Sequence, residues 1–290
     1  MKKSSIIGVL ILCFTFWGKA QVRNEIRVPD PEGYRTLKCD FHIHTVFSDG
    51  LVWPTVRVDE AYREGLDAIA LTEHLEYRPH RQDIIASHNR SYEIAEKTAR
   101  NNQVILIRGS EITRPMAPGH FNAIFLSDCD ALELTMIGTS DIHQPIQTDI
   151  DFARGQHRTM TFVFVRERSA EGIREALLHR RTAVYMDEKV IAEEQWLKEL
   201  FEKSIDIEDI KRNEKSIVIT LKNNSDLTFH LKKTRHNPGL VYFREYTIQP
   251  QCRHRIEIRL ENNIQGGDIN FEITNLYAAP NKGLTYSYKV

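Results

Sequence analysis

The stretch Cys39-Asp40-Phe41-His42-Ile43-His44-Thr45-Val46-Phe47-Ser48-Asp49-Gly50 decides the fold of this chain. It follows an apolar lead-in at residues 34–37 and ends in Asp-Gly, which is a turn signal. We predict a buried strand that carries His42 and His44 at its carboxyl end, where residues two apart point to the same side. Two adjacent imidazoles suit a divalent ion, although the same pattern also fits two half-exposed histidines on an edge strand.

Length and composition indicate a soluble globular chain with one large domain or two smaller ones. The 290 residues are 41% hydrophobic and 27% charged, and the formal net charge is -1. Such a balance does not favour a nucleic-acid partner. Cys39, Cys129 and Cys252 are too widely spaced for a disulfide framework.

The first twenty residues are predicted to be a secretory signal peptide. Lys2 and Lys3 precede an apolar run at 6–17, and Gly18-Lys19-Ala20 supplies a small-residue cleavage site before Gln21. The run is shorter than the roughly 20 residues of a membrane span, so no stable membrane insertion is expected, and a lipid anchor is the less favoured reading. The signal peptide implies export, by secretion or to a bacterial periplasm, and the lack of a disulfide pattern fits a bacterial periplasm better than a eukaryotic secretory route.

Residues 21–190 show apolar runs that alternate with amphipathic helices. We predict strands near 66–72, 104–110, 121–126, 134–138, 159–165 and 183–185, and helices near 54–64, 91–100 and 170–180. On the first helix, Val56, Ala61 and Tyr62 are expected to face inward. The pattern indicates an α/β fold with parallel strands and crossover helices. Polar residues follow four of the strands, which favours a barrel over an open doubly wound sheet.

The pattern changes after residue 190. Residues 191–210 are predicted to form a linker helix, and residues 211–290 alternate apolar and polar positions between turn signals. We predict a small all-β sandwich of immunoglobulin-like type there. This region carries no clustered set of ligand-type residues, and the partner of the sandwich stays open.

Ligand-type side chains gather where the predicted strands end. They are His42, His44, Asp49, Glu73, His74, Glu111, His120, Asp141 and His143. The bland interpretation is a set of half-buried polar groups that satisfy hydrogen bonds at the top of a barrel. The sharper hypothesis is a cluster of two or three divalent ions, and histidine with carboxylate and no thiolate set suits zinc, manganese or iron.

In their order along the chain, these motifs resemble the polymerase and histidinol phosphatase (PHP) family. The resemblance rests on residues 40–45, Ser48-Asp49-Gly50, Thr72-Glu73-His74, Gly109-Ser110-Glu111, Gly119-His120 and Ser140-Asp141-Ile142-His143. It implies a distorted seven-stranded, (β/α)7-type barrel, a site for two or three metal ions, and hydrolysis of phosphoesters.

The resemblance also implies how the ions are shared among the residues. His42, His44 and Asp141 would bind a first ion, and Glu111 would bridge it to a second ion that His120 serves. His74, His143 and Asp49 would serve a third ion.

Position 73 departs from the family pattern, which usually has Asp there. Glu73 is therefore not assigned as a ligand, and a role as a local base that assists catalysis is left open. For substrate contacts we choose Arg78, His80 and Arg114, which follow ligand-bearing strand ends, because Arg suits phosphate. Arg154 and Arg158 are further candidates.

The leading prediction is a secreted metal-dependent phosphoesterase that acts on a small phosphorylated substrate. A metal-bridged hydroxide would attack phosphorus. A short, open barrel favours a phosphodiester over a phosphomonoester. The alternatives are a metal-dependent hydrolase of the amidohydrolase or lactonase type, and a non-catalytic protein that binds metal or a polymer.

Overall fold

The computed structural model describes residues 23–74, 77, 79–80, 82–84, 89–113, 120–124, 137–151, 156–235, 237–279 and 282–290. The predicted signal peptide lies outside these residues. Across this described part of the chain, none of the helices combines the length and the apolar character that crossing a membrane requires.

In its described residues, the amino-terminal part contains seven strands and three α-helices, and a fourth α-helix joins it to the rest. The elements are β1 (Arg35–Ile43), α1 (Pro54–Arg63), β2 (Ala68–Leu71), α2 (Arg90–Asn101), β3 (Ile105–Thr113), β4 (His120–Ile124), β5 (Met160–Val165), α3 (Ala170–Leu178), β6 (Thr182–Met186), β7 (Lys189–Ala192) and α4 (Glu194–Ser204). The order of elements confirms the predicted α/β class.

Strand β1 is flanked by β2 on one side and by β5 on the other, and it is buried along nearly its whole length. One face presents Cys39 and Phe41, which pack in an apolar cluster with β2, β5 and α3. The other face presents Asp40, His42 and, just beyond the strand, His44. Because side chains alternate along a strand, one buried strand serves a core on one side and a polar site on the other.

The sheet is mixed, whereas the sequence pattern predicted parallel strands throughout. Strands β1, β2 and β3 run parallel, but β5 pairs antiparallel with β1 and with β6, and β4 returns antiparallel to β3. An apolar run reports that a strand is buried and not its direction. Most of the predicted strand at 134–138 lies outside the described residues.

Helix α1 also differs from the prediction. Ala61 is buried as expected, but Val56 is 37% exposed, and Arg57 and Glu60 are buried instead. The inward face of this helix is therefore partly charged, and its charged residues contact the segments that carry the site.

The carboxyl-terminal part is all-β, as predicted. Its strands are β8 (Ile205–Arg212), β9 (Ser216–Asn223), β10 (Phe229–Lys233), β11 (Leu240–Val241), β12 (Glu245–Ile248), β13 (Arg253–Leu260), β14 (Asp268–Ala279) and β15 (Lys282–Lys289). Strands β11, β13, β9 and β8 form one antiparallel sheet. Strand β8 begins at Ile205, inside the stretch that the sequence assigns to the linker helix.

The two parts share a sheet. Strand β14 pairs in parallel with β7, so that β12, β10, β14 and β15 extend the sheet that contains β1. The buried Asn275 on β14 donates to the carbonyl oxygens of Glu188 and Thr228 at 2.8 and 2.7 Å and accepts from the N–H of His230 at 3.0 Å. These contacts connect the all-β part directly to the β6–β7 hairpin.

Candidate metal centre

A first group of ligand atoms lies at the carboxyl end of β1. The Nε2 atoms of His42 and His44 are 2.9 Å apart, and each is 2.9 Å from Oε2 of Glu111. Oδ1 of Asp141 lies 3.1 Å from His42 Nε2 and 3.3 Å from His44 Nε2. Four potential metal-ligand atoms from three separate segments therefore lie within 4.8 Å of one another, as the binding of a single cation requires.

A second group overlaps the first at His44 and adds Asp49, His74 and His143. Asp49 Oδ1 is 3.2 Å from His143 Nε2, and Asp49 Oδ2 is 3.4 Å from His74 Nε2. The rings of His44 and His143 stack with centroids 4.3 Å apart. His74 Nδ1 is also 3.4 Å from Glu111 Oε2, so that the two groups form one continuous centre.

The chemistry of this centre fits divalent cations. Among the described residues, no hydrogen bond reaches the buried Oδ1 of Asp49, although Nε2 of His143 lies 3.2 Å away. Burial alone would lower the pKa of His44, but its hydrogen bond to Asp141 and the charges of Asp49 and Glu111 outweigh burial and raise that pKa. Imidazoles and carboxylates packed this closely favour positive charge between them, which a metal ion supplies.

The backbone at Asp141 is held in an unusual conformation. Asp141 has a φ of 53°, in the left-handed region that Asp tolerates better than most residues. Its N–H donates to the carbonyl oxygen of His42 at 3.1 Å, and its own carbonyl oxygen accepts from His143 Nδ1 at 2.8 Å. A proton on Nδ1 leaves Nε2 of His143 available as a ligand.

Asp40, on β1, holds the residue that precedes Asp141. Its carboxylate accepts from the N–H of Ser140 at 3.1 Å and from a guanidinium nitrogen of Arg158 at 3.0 Å. Arg158 is 1% exposed and donates its other N–H groups to Glu64. Arg158 was a further candidate for substrate contact. That prediction is wrong, because its guanidinium is buried and donates to Glu64 and Asp40 inside the protein.

Arg57 ties the two ligand-bearing loops together. Its guanidinium donates to the carbonyl oxygens of His44 at 2.9 Å, Gln144 at 2.8 Å and Ile142 at 3.1 Å, and to Glu60 at 2.8 Å. The loop after β1 and the segment 141–144 are thus held by one buried side chain.

Glu73 lies beside the centre but faces the loop after β1. Its carboxylate accepts hydrogen bonds from Thr45 and Ser48, and it belongs to neither group of converging ligand atoms. This geometry favours a structural or positioning contact over the predicted role as a base.

The remaining predicted residues are placed only in part. His80 is half-buried, and its carbonyl oxygen accepts from the N–H groups of Asp83 and Ile84. Within the described residues, no contact joins it to the two groups. His120 begins β4, and its backbone pairs with Thr113, but its side chain lies outside the described part, as do Arg78, Arg114 and Arg154.

Sequence reasoning missed the buried polar residues that hold the ligands. Ser48 was quoted only as part of a motif, and Thr45, Arg57 and Glu60 were given no role. One available signal was the spacing of Arg57 and Glu60, because residues three apart on a helix share a face and opposite charges there can pair inward.

Comparisons with known proteins identify the family of the chain and the type of its carboxyl-terminal part. A crystal structure from Bacteroides vulgatus, of a two-domain protein containing a predicted PHP-like metal-dependent phosphoesterase, is 48% identical, covers 93% of this chain and 100% of its own, and superposes with a TM-score of 0.89. A family model for an Ig-like domain matches residues 204–289. No curated protein matches the sequence.

Two other solved structures match a smaller part of the chain. A proposed metal-dependent phosphoesterase from Bifidobacterium adolescentis is 27% identical over 30% of this chain and 26% of its own, with a TM-score of 0.23. An amidohydrolase from Chromobacterium violaceum is 21% identical over 29% of this chain and 25% of its own, with a TM-score of 0.22. Neither superposition is close enough to bear on the fold.

Proposed function

Since this chain belongs to the family of two-domain proteins that contain a PHP-like metal-dependent phosphoesterase, we propose that it hydrolyses a small phosphodiester or phosphomonoester at a centre of two or three divalent ions. It is a metal-dependent hydrolase. The observation that carries the proposal is the convergence of two overlapping groups of imidazole and carboxylate atoms from β1 and the loop after it, from the end of β2, from β3 and from the segment 141–144.

Each group has residues suited to hold one ion. His42, His44, Glu111 and Asp141 would hold the first, and Asp49, His74 and His143 would hold another. A further ion at His120 remains a prediction, as does the choice among zinc, manganese and iron. Bound divalent ions activate water and offset the negative charge that develops on phosphoryl oxygens.

The ligand side chains differ in solvent exposure, and this difference indicates the side from which a substrate can approach. The side chains of His44 and Glu111 are closed to solvent at 0% and 1% exposure, whereas those of Asp49, His143 and Asp141 are 25%, 31% and 53% exposed. A substrate therefore meets the centre on the side of Asp141 and His143. This open side leaves room for a second ester substituent, and for that reason we favour a diester.

The test combines metal content with turnover. Protein purified without chelator is analysed for bound metal and assayed with p-nitrophenyl phosphate and bis(p-nitrophenyl) phosphate, beside a panel of amides and lactones. We expect two or three ions per chain and ester hydrolysis. His42→Ala should lose at least one ion and most activity, while His179→Ala, at an exposed histidine that ends α3, should lose neither.

Two results would contradict the proposal. The first is hydrolysis of an amide or lactone without any ester turnover. The second is a chain that hydrolyses neither ester after zinc, manganese or iron has been added.

We also propose export, which the composition of residues 1–20 supports. Mass spectrometry of the protein recovered from a periplasmic fraction should give a chain that begins at Gln21. Recovery of the intact chain from the cytoplasm would refute this.

A further inference from the structure

We propose that Glu73 is a positioning residue that acts through Ser48 on His44, and that it commits His44 to the first of the two overlapping groups. This inference rests on the proposed metal-dependent function. It assigns to Glu73 a task different from those of a ligand and of a base.

The contacts of Glu73 define the direction of each hydrogen bond. The carboxylate is 2% exposed. Oε1 accepts from the hydroxyl of Thr45 at 2.5 Å, and Oε2 accepts from the N–H of Thr45 at 3.1 Å and from the hydroxyl of Ser48 at 2.7 Å. A carboxylate only accepts, so the single hydroxyl proton of Ser48 points to Glu73.

The Ser48 hydroxyl is thereby left as an acceptor toward His44. Its oxygen lies 3.1 Å from Nδ1 of His44, and with its own proton used it can only receive the Nδ1 proton. With a cation held between Nε2 and the carboxylates of Glu111 and Asp141, Nε2 would carry the lone pair and Nδ1 the hydrogen that Ser48 accepts. A metal-binding histidine that donates its other N–H in this way has both its tautomer and its ring orientation fixed.

The fixed tautomer resolves the overlap between the groups. Nε2 of His44 lies 2.9 Å from both His42 Nε2 and Glu111 Oε2, in the first group. Nδ1 is the atom nearest to the second group, 3.5 Å from Asp49 Oδ1, and a protonated nitrogen cannot bind a cation. The second group is then reduced to Asp49, His74 and His143, a three-residue set of the kind that leaves a coordination position open.

The reach of Glu73 explains how the contact is made across two strands. The residue follows β2, whereas Thr45 and Ser48 lie in the loop after β1. Its carbonyl oxygen accepts from the N–H of Glu111 at 3.0 Å, which fixes the backbone from the side of β3. Through its side chain and its backbone carbonyl group, Glu73 thus connects the segments that carry His44, His74 and Glu111.

The test compares three variants of the full chain. Glu73→Leu removes the acceptor and keeps an apolar side chain in part of the same space, and Ser48→Ala removes the hydroxyl. Thr45→Val is the matched control, because it removes a hydrogen bond to the same carboxylate and leaves the contact between Ser48 and His44 in place. The ring nitrogens are observed by NMR of ¹⁵N-histidine-labelled, zinc-loaded protein, with His44 assigned by its absence in His44→Gln. Zinc affinity is measured by calorimetry.

We expect the Nδ1–H tautomer of His44 in the wild type and in Thr45→Val. It should be lost in Ser48→Ala and Glu73→Leu, together with roughly a 10–100-fold loss of zinc affinity. Three outcomes would each overturn the inference: an Nε2–H tautomer in the wild type, an unchanged tautomer in Ser48→Ala, or an equal loss of affinity in Thr45→Val. If Glu73→Leu fails to fold, Ser48→Ala decides the question alone.

Failure of this inference differs from failure of the proposed function. A wild type with the expected tautomer and zinc affinity that hydrolyses no phosphoester leaves the positioning role intact and refutes the function. An active enzyme whose His44 tautomer does not respond to Ser48→Ala does the reverse.

Discussion

Removal of the Arg57 guanidinium is expected to destabilise the protein and to loosen the metal centre. Arg57 is 0% exposed and donates to three carbonyl oxygens as well as to Glu60. Arg57→Met keeps a long side chain in the same space and removes every donor. Two of the carbonyl groups belong to His44 and Ile142, which are next to or among the ligand-bearing residues.

The magnitude follows from what is left behind. Removing one partner of a buried ion pair costs about 3–5 kcal/mol, because the other charge stays buried. The carbonyl oxygens of His44, Ile142 and Gln144 also lose their donors. Hydrogen bonds to water or to nearby polar groups can restore part of the lost stabilisation. We therefore expect Arg57→Met to lower the free energy of unfolding by about 3–5 kcal/mol, a large share of the 5–15 kcal/mol of a typical domain.

The assay is urea-induced unfolding at equilibrium in the presence of chelator, so that metal binding does not contribute to the difference. Arg63→Met is the matched control, because Arg63 lies on the same helix with an exposed side chain, and its loss should stay within about 0.5 kcal/mol. In a double-mutant cycle, Glu60→Gln should cost less in the Arg57→Met background than alone, with a coupling of about 0.5–3 kcal/mol.

The result that would refute this reasoning is a loss for Arg57→Met no larger than that for Arg63→Met. Strict additivity with Glu60→Gln would refute the paired-charge explanation even if the single variant were unstable. Zinc calorimetry on the folded fraction adds an independent check, since Arg57→Met should bind zinc more weakly than Arg63→Met does.

Three further predictions concern other parts of the molecule. Gly50→Ala should cost about 1–3 kcal/mol and weaken metal binding, because the added Cβ would lie 2.5 Å from the carbonyl carbon of His44; urea unfolding and zinc calorimetry measure both. Asn275→Ala should cost about 1–3 kcal/mol in thermal unfolding, since the carbonyl groups of Thr228 and Glu188 and the N–H of His230 lose their partner and the bond to Thr228 is buried. Hydrogen bonding to Arg181 lowers the pKa of Glu175. Its contribution to stability is therefore complete above the ordinary glutamate pKa of about 4.3 and is lost as pH falls through the lowered value. Glu175→Gln should flatten the decline of the urea midpoint in that acid range, by a small amount because the pair is partly exposed.

Each of these predictions has a control and a contradicting result. Gly267→Ala meets only a side-chain methyl group of Leu240, and an equal effect there would show that the backbone contact at Gly50 is not the cause. Asn224→Ala removes an exposed bond to Asp206, and a loss as large as that of Asn275→Ala would contradict the argument from burial. An acid decline in Glu175→Gln as steep as in the wild type would remove Glu175 from the explanation.

The positions of the ligand residues could be predicted because strand ends carry topological information. His42 and His44 alternate with buried apolar residues on β1, and His74, Glu111 and Asp141 each follow or end an apolar run. Parallel pairing of β1, β2 and β3 brings such ends together. That argument needs only the apolar runs that mark buried strands and the two-residue alternation of their side chains, and both can be read from a sequence.

The direction of β5 and the inward face of α1 could not be predicted in the same way. The run at Met160–Val165 is buried on both sides, and nothing in an apolar run distinguishes a parallel strand from an antiparallel one. On α1, the apolar pattern placed Val56 inside, but unpaired loop carbonyl groups needed donors, and Arg57 supplies them from the position next to it. A buried charge is decided by partners that are distant in sequence.

Helix α1 shows why the floor of this centre is charged rather than apolar. Arg57, Glu60 and Glu64 recur at the spacing of one helix face, and all three are buried. Arg57 fixes the carbonyl groups around the ligands, Glu60 accepts from the N–H of Ile146, and Glu64 holds Arg158 against Asp40. Apolar side chains in these positions would fill the space and often stabilise a fold as well as an ion pair does. They could not, however, form hydrogen bonds with the backbone groups of irregular segments. Because the ligands come from loops whose backbone groups are not paired within a sheet, their placement depends on this charged face, and that dependence accounts for buried charges where stability alone does not require them.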